Sequence, residues 1–243
     1  NLMIELNMSR DTHYIDNIMD YLPNQYNLIA CHNFYPHPYT GLTDDLFEKT
    51  SRKFNQYGLR TAAFVSSQNP DAFGPWPVDE GIVTLERHRD LPIVTQVKDF
   101  ISMNLVDDII ISNFPASDEE FEAISKLDLN IVSLAVTVHP KTPELEQKIM
   151  FEESHYHRGD AGKYLIRSTM SRVKYKGEKF PIFNAPEWIE KGDVIIESSE
   201  YGHYAGELQI ARTRMKNTGR SNVVGHVVEE EMFLLDGLKP WQR

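Results

Sequence analysis

Cysteine is nearly missing from this chain of 243 residues. Cys31 is the single one, so no internal disulfide can form. Its place in the apolar run Leu28-Ile29-Ala30-Cys31 reads as a small buried hydrophobe suited to a reducing, cytoplasmic compartment. Long hydrophobic runs are missing too: nothing approaches the roughly 18 apolar residues that mark a membrane span, and no basic segment leads into a signal-type apolar stretch. Basic residues are in deficit, 25 Lys and Arg against 36 Asp and Glu, for a formal net charge of −11. A surface of that sign repels nucleic acid and anionic membranes, so neither is expected as a partner. A phosphorylated ligand would need a local cluster of arginines and backbone donors. Metal-ligand spacing is lacking as well. His32 and His37 stand five apart with no second cluster, so neither a metal nor another cofactor is expected. The chain opens in strand-like residues, Leu2-Met3-Ile4-Glu5-Leu6, without an initiator Met, and a preceding segment is expected.

What is present is the balance of a folded protein, 41% hydrophobic and 25% charged residues, with enough length for one large or two ordinary domains. Residues 1–128 repeat strand, loop and helix four times, which predicts a parallel sheet. The strands are read at 2–8, 28–31, 60–65 and 108–112. Ser9 is expected to cap a helix over 11–21 with Asp11 in its first turn, Thr43 one over 44–57 stopped by Gly58, and Ser117 one over 118–126. The run 84–90 reads as helical, and a helix follows over 93–102. The stretch 66–84 is a long loop rich in Pro, Gly and Trp, of the kind that forms lids or binding loops. From residue 129 the pattern changes to strands at 131–138, 164–169, 193–198, 207–212 and 222–228, with turns at Gly177, Gly192, Gly202 and Gly219. This reads as a mostly antiparallel β-barrel.

Several clusters could carry chemistry. Alternation along the first strand puts Glu5 and Asn7 on the face opposite Ile4 and Leu6. Glu5 is then an acid/base candidate, against a structural carboxylate in a polar layer. His32, Asn33 and Tyr35 follow the second strand where its loop begins, and their donors and acceptors suit sugar hydroxyls. Glu80 lies in the long loop beside Gly81 and near Trp76. A carboxyl held against an aromatic wall would have the raised pKa of a general acid. Glu86, Arg87 and Arg89 read as ordinary pairs on a solvated helix face. In the second half Arg158, Arg167 and Arg172 concentrate donors suited to an anion, with Arg167 the leading candidate.

Cys31-His32-Asn33-Phe34-Tyr35-Pro36, Thr61-Ala62-Ala63-Phe64, Glu80-Gly81 leading to Thr84-Leu85-Glu86 and His88-Arg89, Ile166-Arg167-Ser168-Thr169, and Tyr204-Ala205-Gly206-Glu207-Leu208-Gln209-Ile210 together resemble the bacterial 6-phospho-N-acetylmuramidase family. The likeness runs from about Leu2 to Asp236. It implies a TIM (β/α)8 barrel followed by a cyclophilin-like antiparallel β-barrel. It also implies cytoplasmic hydrolysis of a 6-phosphorylated N-acetylmuramyl-N-acetylglucosamine disaccharide in peptidoglycan recycling. Family members extend further at the N-terminus, so this chain would hold the C-terminal half of the barrel, strands five to eight, and the second domain. His37 and His203 depart from the family pattern, which carries Arg there.

The resulting expectation is an α/β plus β fold, with barrel units in 1–128 and the β-barrel domain in 129–243, acting as a glycosidase. Glu5 and Glu80 are the catalytic candidates. Asn7, His32, Asn33 and Tyr35 are expected to bind the sugar and Arg167 its phosphate. The alternative is a phosphosugar-binding protein without turnover. Four parallel strands with open edges also make a homodimer conceivable.

Overall fold

The computed structural model describes residues 2–10 and 12–243. Two compact units divide the chain, Asn1–Leu127 and Asp128–Arg243. In the first, β1 (Ile4–Asn7), β2 (Leu28–Cys31), β3 (Arg60–Val65) and β4 (Asp108–Ile111) pair in the order β1-β2-β3-β4, every pair parallel. Helices α1 (Thr12–Met19), α2 (Asp44–Asn55) and α3 (Ile93–Met103) connect them, and α4 (Asp118–Ser125) follows β4.

Local chemistry explains the helix ends. The Thr43 hydroxyl accepts the Leu46 N–H at the start of α2, Asp44 and Asp45 fill its first turn, and Arg52 and Lys53 its last, each favourable to the helix dipole. Gly58 follows at φ +68°, a conformation that costs glycine little. Ser117 and Glu120 form a reciprocal capping box on α4. The expected role of Asp11 in α1 lies outside the described residues. Ser9 makes other contacts: its hydroxyl pairs with His32 Nδ1 at 3.1 Å and accepts the Asn33 N–H at 2.9 Å.

The expected helix over 84–90 reduces to one 3-10 turn, Glu86–His88. Thr84 and Leu85 are instead held extended, because the Thr84 carbonyl accepts the Leu42 N–H and the Leu42 carbonyl accepts that of Glu86.

The two faces of the parallel sheet differ. Leu6, Leu28 and Ala30 bury against α1 and α2 with Ile15, Met19 and Phe54, while Ala63 and Val65 meet Phe47, Val97 and Phe100 of α2 and α3. Register puts Glu5, Ile29 and Arg60 in one row of the opposite face, and Asn7, Cys31, Ala62 and Asp108 in another. That face is buried at Cys31 and Ala62, while Glu5, Asn7, Arg60 and Ile110 on it are exposed. Arg60 forks onto Asp108 there through two bonds of 2.6 Å.

The second unit contains β5 (Val136–Val138), α5 (Glu144–Glu152), β6 (Leu165–Ser168), α6 (Met170–Lys174), β7 (Trp188–Ile189), β8 (Asp193–Glu197), β9 (Leu208–Ala211), β10 (Met215–Lys216) and β11 (Ser221–Val227). Five strands form one antiparallel sheet, β5-β11-β8-β9-β6, and β7 pairs with β10 in a separate ribbon. Among the described residues the strands thus pair as a five-stranded antiparallel sheet and a two-stranded ribbon, in line with the mostly antiparallel pairing expected. Only the end of the run 131–138 is strand, and α5 was not foreseen. Its residues after Pro143 are mostly good helix formers. Gly177, Gly192, Gly202 and Gly219 all have positive φ, as their turns require. One sheet face packs Ile166, Val194, Ile196, Leu208 and Val224 against Ile149 of α5. The other carries a small apolar cluster, Ile189, Ile195, Ala211 and Val223, and beyond it the polar residues Arg167, Glu197, Glu207, Gln209 and Ser221.

Candidate functional site

In the first unit a cleft of about 780 Å³ opens past the carboxyl ends of β3 and β4. Its walls include Ser67, Gln68 and Asn69 just after β3, Asp79 and Glu80 of the long loop, and Asn113 after β4. Side chains brace these walls. Asn113 and the Ser67 backbone exchange two hydrogen bonds, of 2.7 and 3.0 Å. Glu120, the capping residue of α4, accepts from the Ser67 hydroxyl at 2.6 Å and the Gln68 N–H at 2.8 Å. One residue thus ends a helix and fixes a loop of the cleft.

Arg89 forms the floor. It is 7% exposed and donates to the carbonyls of Tyr35, Glu80 and Gly81, so it ties the loop after β2 to the loop after β3. Its other nitrogens fork onto Glu86, two bonds of 2.7 Å. Glu86 also accepts the N–H groups of Tyr39 and Gly41, at 2.8 and 2.7 Å. The Arg89 guanidinium, with these amides adding to it against partial burial, holds the Glu86 carboxyl down at about 2. Arg87 joins Asp44 to Asp99 at 2.8 and 2.6 Å, and Asp99 also contacts His88 Nε2 at 2.6 Å. The residues read from sequence as a solvated helix face are in fact a braced polar floor. Only the tertiary partners, up to 54 positions away in sequence, reveal it.

The sequence candidates scatter over this frame. Glu80 lines the cleft and is exposed, which corrects the expectation of a carboxyl desolvated against Trp76, itself 58% exposed. Glu5 and Asn7 lie on the sheet face outside the cleft. The Asn7 side chain accepts the Ser9 N–H at 2.9 Å. Asn33 is exposed at the mouth of β2, its N–H bonded to Ser9 and its carbonyl to the Thr84 hydroxyl. Tyr35 packs partly against the core and its backbone bonds Val83 and Arg89.

His32 must be corrected outright. Alternation continues past Cys31 and turns its ring toward the helices, where its nitrogens meet Ser9 at 3.1 Å and Ser51 at 2.9 Å and its face meets Phe47 at 4.6 Å. Burial drives its pKa down to about 3, so it is a neutral core histidine with both nitrogens occupied. Cys31 is also a core residue, its thiol pushed up to about 12 by burial first and then by the charges of Glu5 and Asp108. Sequence reasoning missed Asp79, Ser67, Asn69 and Asn113 in the cleft. The length of the loop after β3 was the available clue to the first three.

In the second unit Arg167 does not stand free. It bonds Glu207 through Nε at 2.7 Å and Nη2 at 2.6 Å. Arg172 Nε lies 3.1 Å from the other Glu207 oxygen, and both guanidinium groups lie over the Tyr204 ring, at 5.6 and 5.2 Å. Glu197, bonded by the Ser221 hydroxyl at 2.7 Å, is raised to about 7 by burial, to which the charge of Glu207 adds.

A parallel βα sheet with a braced, carboxylate-lined cleft at its carboxyl rim, and a separate antiparallel unit carrying paired arginines, define a two-unit α/β protein. Models of the 6-phospho-N-acetylmuramidase family match both units, the N-terminal one over residues 1–126 and the C-terminal one over residues 132–243. The chain belongs to that family. Among solved structures, an uncharacterized B. cereus protein is 42% identical with a TM-score of 0.95; the alignment covers 99% of this chain and 69% of that one. A conserved Enterococcus faecalis protein of unknown function is 22% identical with a TM-score of 0.69, over 99% of this chain and 64% of that one; at that identity the likeness concerns the fold alone. No curated protein matches the chain.

Proposed function

We propose that this protein is an intracellular glycoside hydrolase cleaving 6-phosphorylated N-acetylmuramyl-N-acetylglucosamine during cell-wall recycling. The observation that carries the reading is the pair of family matches, which together take in nearly the whole chain. On this reading the four βα units are part of a (β/α)8 barrel, whose chemistry sits at the carboxyl rim, and the second unit is the cyclophilin-like domain.

Such hydrolysis ordinarily uses one carboxylic acid to protonate the leaving oxygen and a second carboxylate as nucleophile or water-activating base. Glu80, in the cleft, and Glu5, on the sheet face outside it, are the candidates for these two roles in this proposal. Asn7, Asn33 and Tyr35 are the sugar-binding candidates of the first unit, and Arg167 is the phosphate-binding candidate of the second. His32 acts only by holding Ser9 and the turn that presents Asn33.

The test is release of the two sugars from the phosphorylated disaccharide by the full chain, with Glu5→Gln and Glu80→Gln alongside. Loss of at least about a hundredfold in kcat is expected from each substitution. Undiminished turnover in both variants would remove both residues from the mechanism.

A further inference from the structure

We propose that the second unit holds a separate small-molecule site, an apolar pocket that takes an uncharged, ring-sized molecule carrying a hydroxyl, with His157 as the acceptor of its hydrogen bond. The inference is independent of the glycosidase reading. It uses neither the cleft of the first unit nor the arginine pair on Glu207.

Shape comes first. A cavity of about 360 Å³ lies against the sheet face that packs on α5, a size within the roughly 300–1,000 Å³ usual for small-molecule sites. Ile166, Val194 and Leu208 of the sheet, Met150 of α5, and Val132 and Leu238 beyond them make its walls apolar. Backbone bonds fix the wall around His157. The Arg243 carbonyl accepts the Val132 N–H and the Gln242 carbonyl that of His157, each at 2.9 Å, while the Trp241 N–H donates to the His157 carbonyl at 2.7 Å. The Trp241 ring sits so close to Gly159 that a Cβ there would stand 2.6 Å from it. The chain holds this wall by its own bonds, so a ligand is spared the cost of ordering it.

The few polar groups in the wall select the occupant. His157 is 4% exposed, and neither ring nitrogen has a hydrogen-bond partner. Burial lowers its pKa, opposed by the Lys239 backbone beside the ring, so the imidazole is neutral at physiological pH. A neutral imidazole has one donor nitrogen and one acceptor. The Lys239 carbonyl can answer the donor alone, which leaves the acceptor in need of an N–H or O–H from elsewhere, since buried polar groups are nearly always paired.

Ser168, the other buried polar residue at the pocket, makes the same demand. His155 Nε2 meets the Ile149 carbonyl at 2.8 Å, which fixes its N–H there and makes Nδ1 the acceptor of the Ser168 hydroxyl at 2.9 Å. Ser168 thus spends its proton and presents lone pairs. An anion would set its own lone pairs against these acceptors, and the apolar walls penalise a charge of either sign. Of the charged residues at the pocket, Glu153 is paired with Lys174 at 2.6 Å, and Arg243 donates to Ser154 at 2.7 Å. A phenol or alcohol meets all of these conditions.

Titration of the full chain with p-cresol, p-xylene and p-toluate tests the proposal, because the three share a ring and differ as hydroxyl, methyl and carboxylate. Calorimetry and the His157 ring nitrogen NMR resonances are the readouts. p-Cresol is expected to saturate one site and to move those resonances. p-Xylene should bind at least about tenfold more weakly, the worth of one buried hydrogen bond, and p-toluate should leave the resonances unmoved. His157→Phe keeps a ring in place but removes the acceptor, so it should erase the preference for p-cresol over p-xylene. Absence of saturable p-cresol binding, as for a pocket that holds water only, overturns the proposal. Equal affinities for p-cresol and p-xylene do the same, as does a preference that survives in folded His157→Phe. Tighter binding of p-toluate would overturn it in favour of an anion site at Arg243. Should His157→Phe fail to fold, the wild-type affinities and resonances decide by themselves.

Discussion

His32 lies between the hydroxyls of Ser9 and Ser51 with Phe47 against its ring, and burial holds it neutral down to about pH 3. Burial also lowers the pKa values of His88, His155 and His157. These groups bind protons more readily in the unfolded chain, whose histidines titrate near about 6.5. Their effect is therefore absent above that pH and destabilises the fold progressively below it, down through the lowered folded values. Each contributes a slope of up to about 1.4 kcal/mol per pH unit. Denaturant melts between pH 7.5 and 4.5 should show stability falling with pH, and a smaller slope in a folded His32 variant. His32→Ala should cost about 2–4 kcal/mol at neutral pH, through the lost packing and two stranded hydroxyls. Glu86 runs the opposite way. Its depressed carboxyl stabilises the fold above the unfolded carboxylate pKa, and that contribution is lost progressively as pH falls from there through about 2. Glu86→Gln at neutral pH should therefore destabilise and, by loosening two of its donors, speed hydrogen exchange at the Tyr39 and Gly41 amides.

The elements around the cleft owe their positions to a few non-local bonds. Gly41 shows how tightly the loop after β2 is seated: a Cβ there would stand 2.7 Å from both the backbone nitrogen and a carboxylate oxygen of Glu86. Gly41→Ala should cost about 1–3 kcal/mol by overpacking, measurable as a lower denaturant midpoint at unchanged slope. Elements with local determinants were legible from sequence. The caps Thr43 and Ser117 and the positive-φ glycines sit where they were expected, because the partners of a cap lie within one helical turn. The 84–90 run misled for the converse reason. Its charges have helical spacing, but Thr84 and Leu85 are pulled extended by backbone bonds to Leu42, a partner no local pattern names. The helix α5 carries no local start signal of the kind Thr43 and Ser117 give, since Pro143 stands at its N-cap position without a side-chain capping bond.

At the scale of the whole molecule, the division falls between Leu127 and Asp128, and Leu129 next to it is 69% exposed. Limited proteolysis should cut first near residues 128–131, since nicking favours exposed connecting segments. The two products should be identifiable by mass, the first with helical and the second with mainly β circular dichroism. A first cut inside either unit would contradict the division.

The sequence by itself determined the order of the parallel βα units, the change of pattern after them, the face of β1 that carries Glu5 and Asn7, and the family resemblance, because periodicity, caps and motif phrases are local properties of the chain. Tertiary structure alone decided that His32 turns into the core, that Glu86 and Arg89 brace the cleft floor, and that Arg167 shares Glu207 with Arg172. Each of these depends on which distant groups meet a side chain once it leaves water, and the energy of a buried charge or hydrogen bond is set by those neighbours rather than by the residue itself.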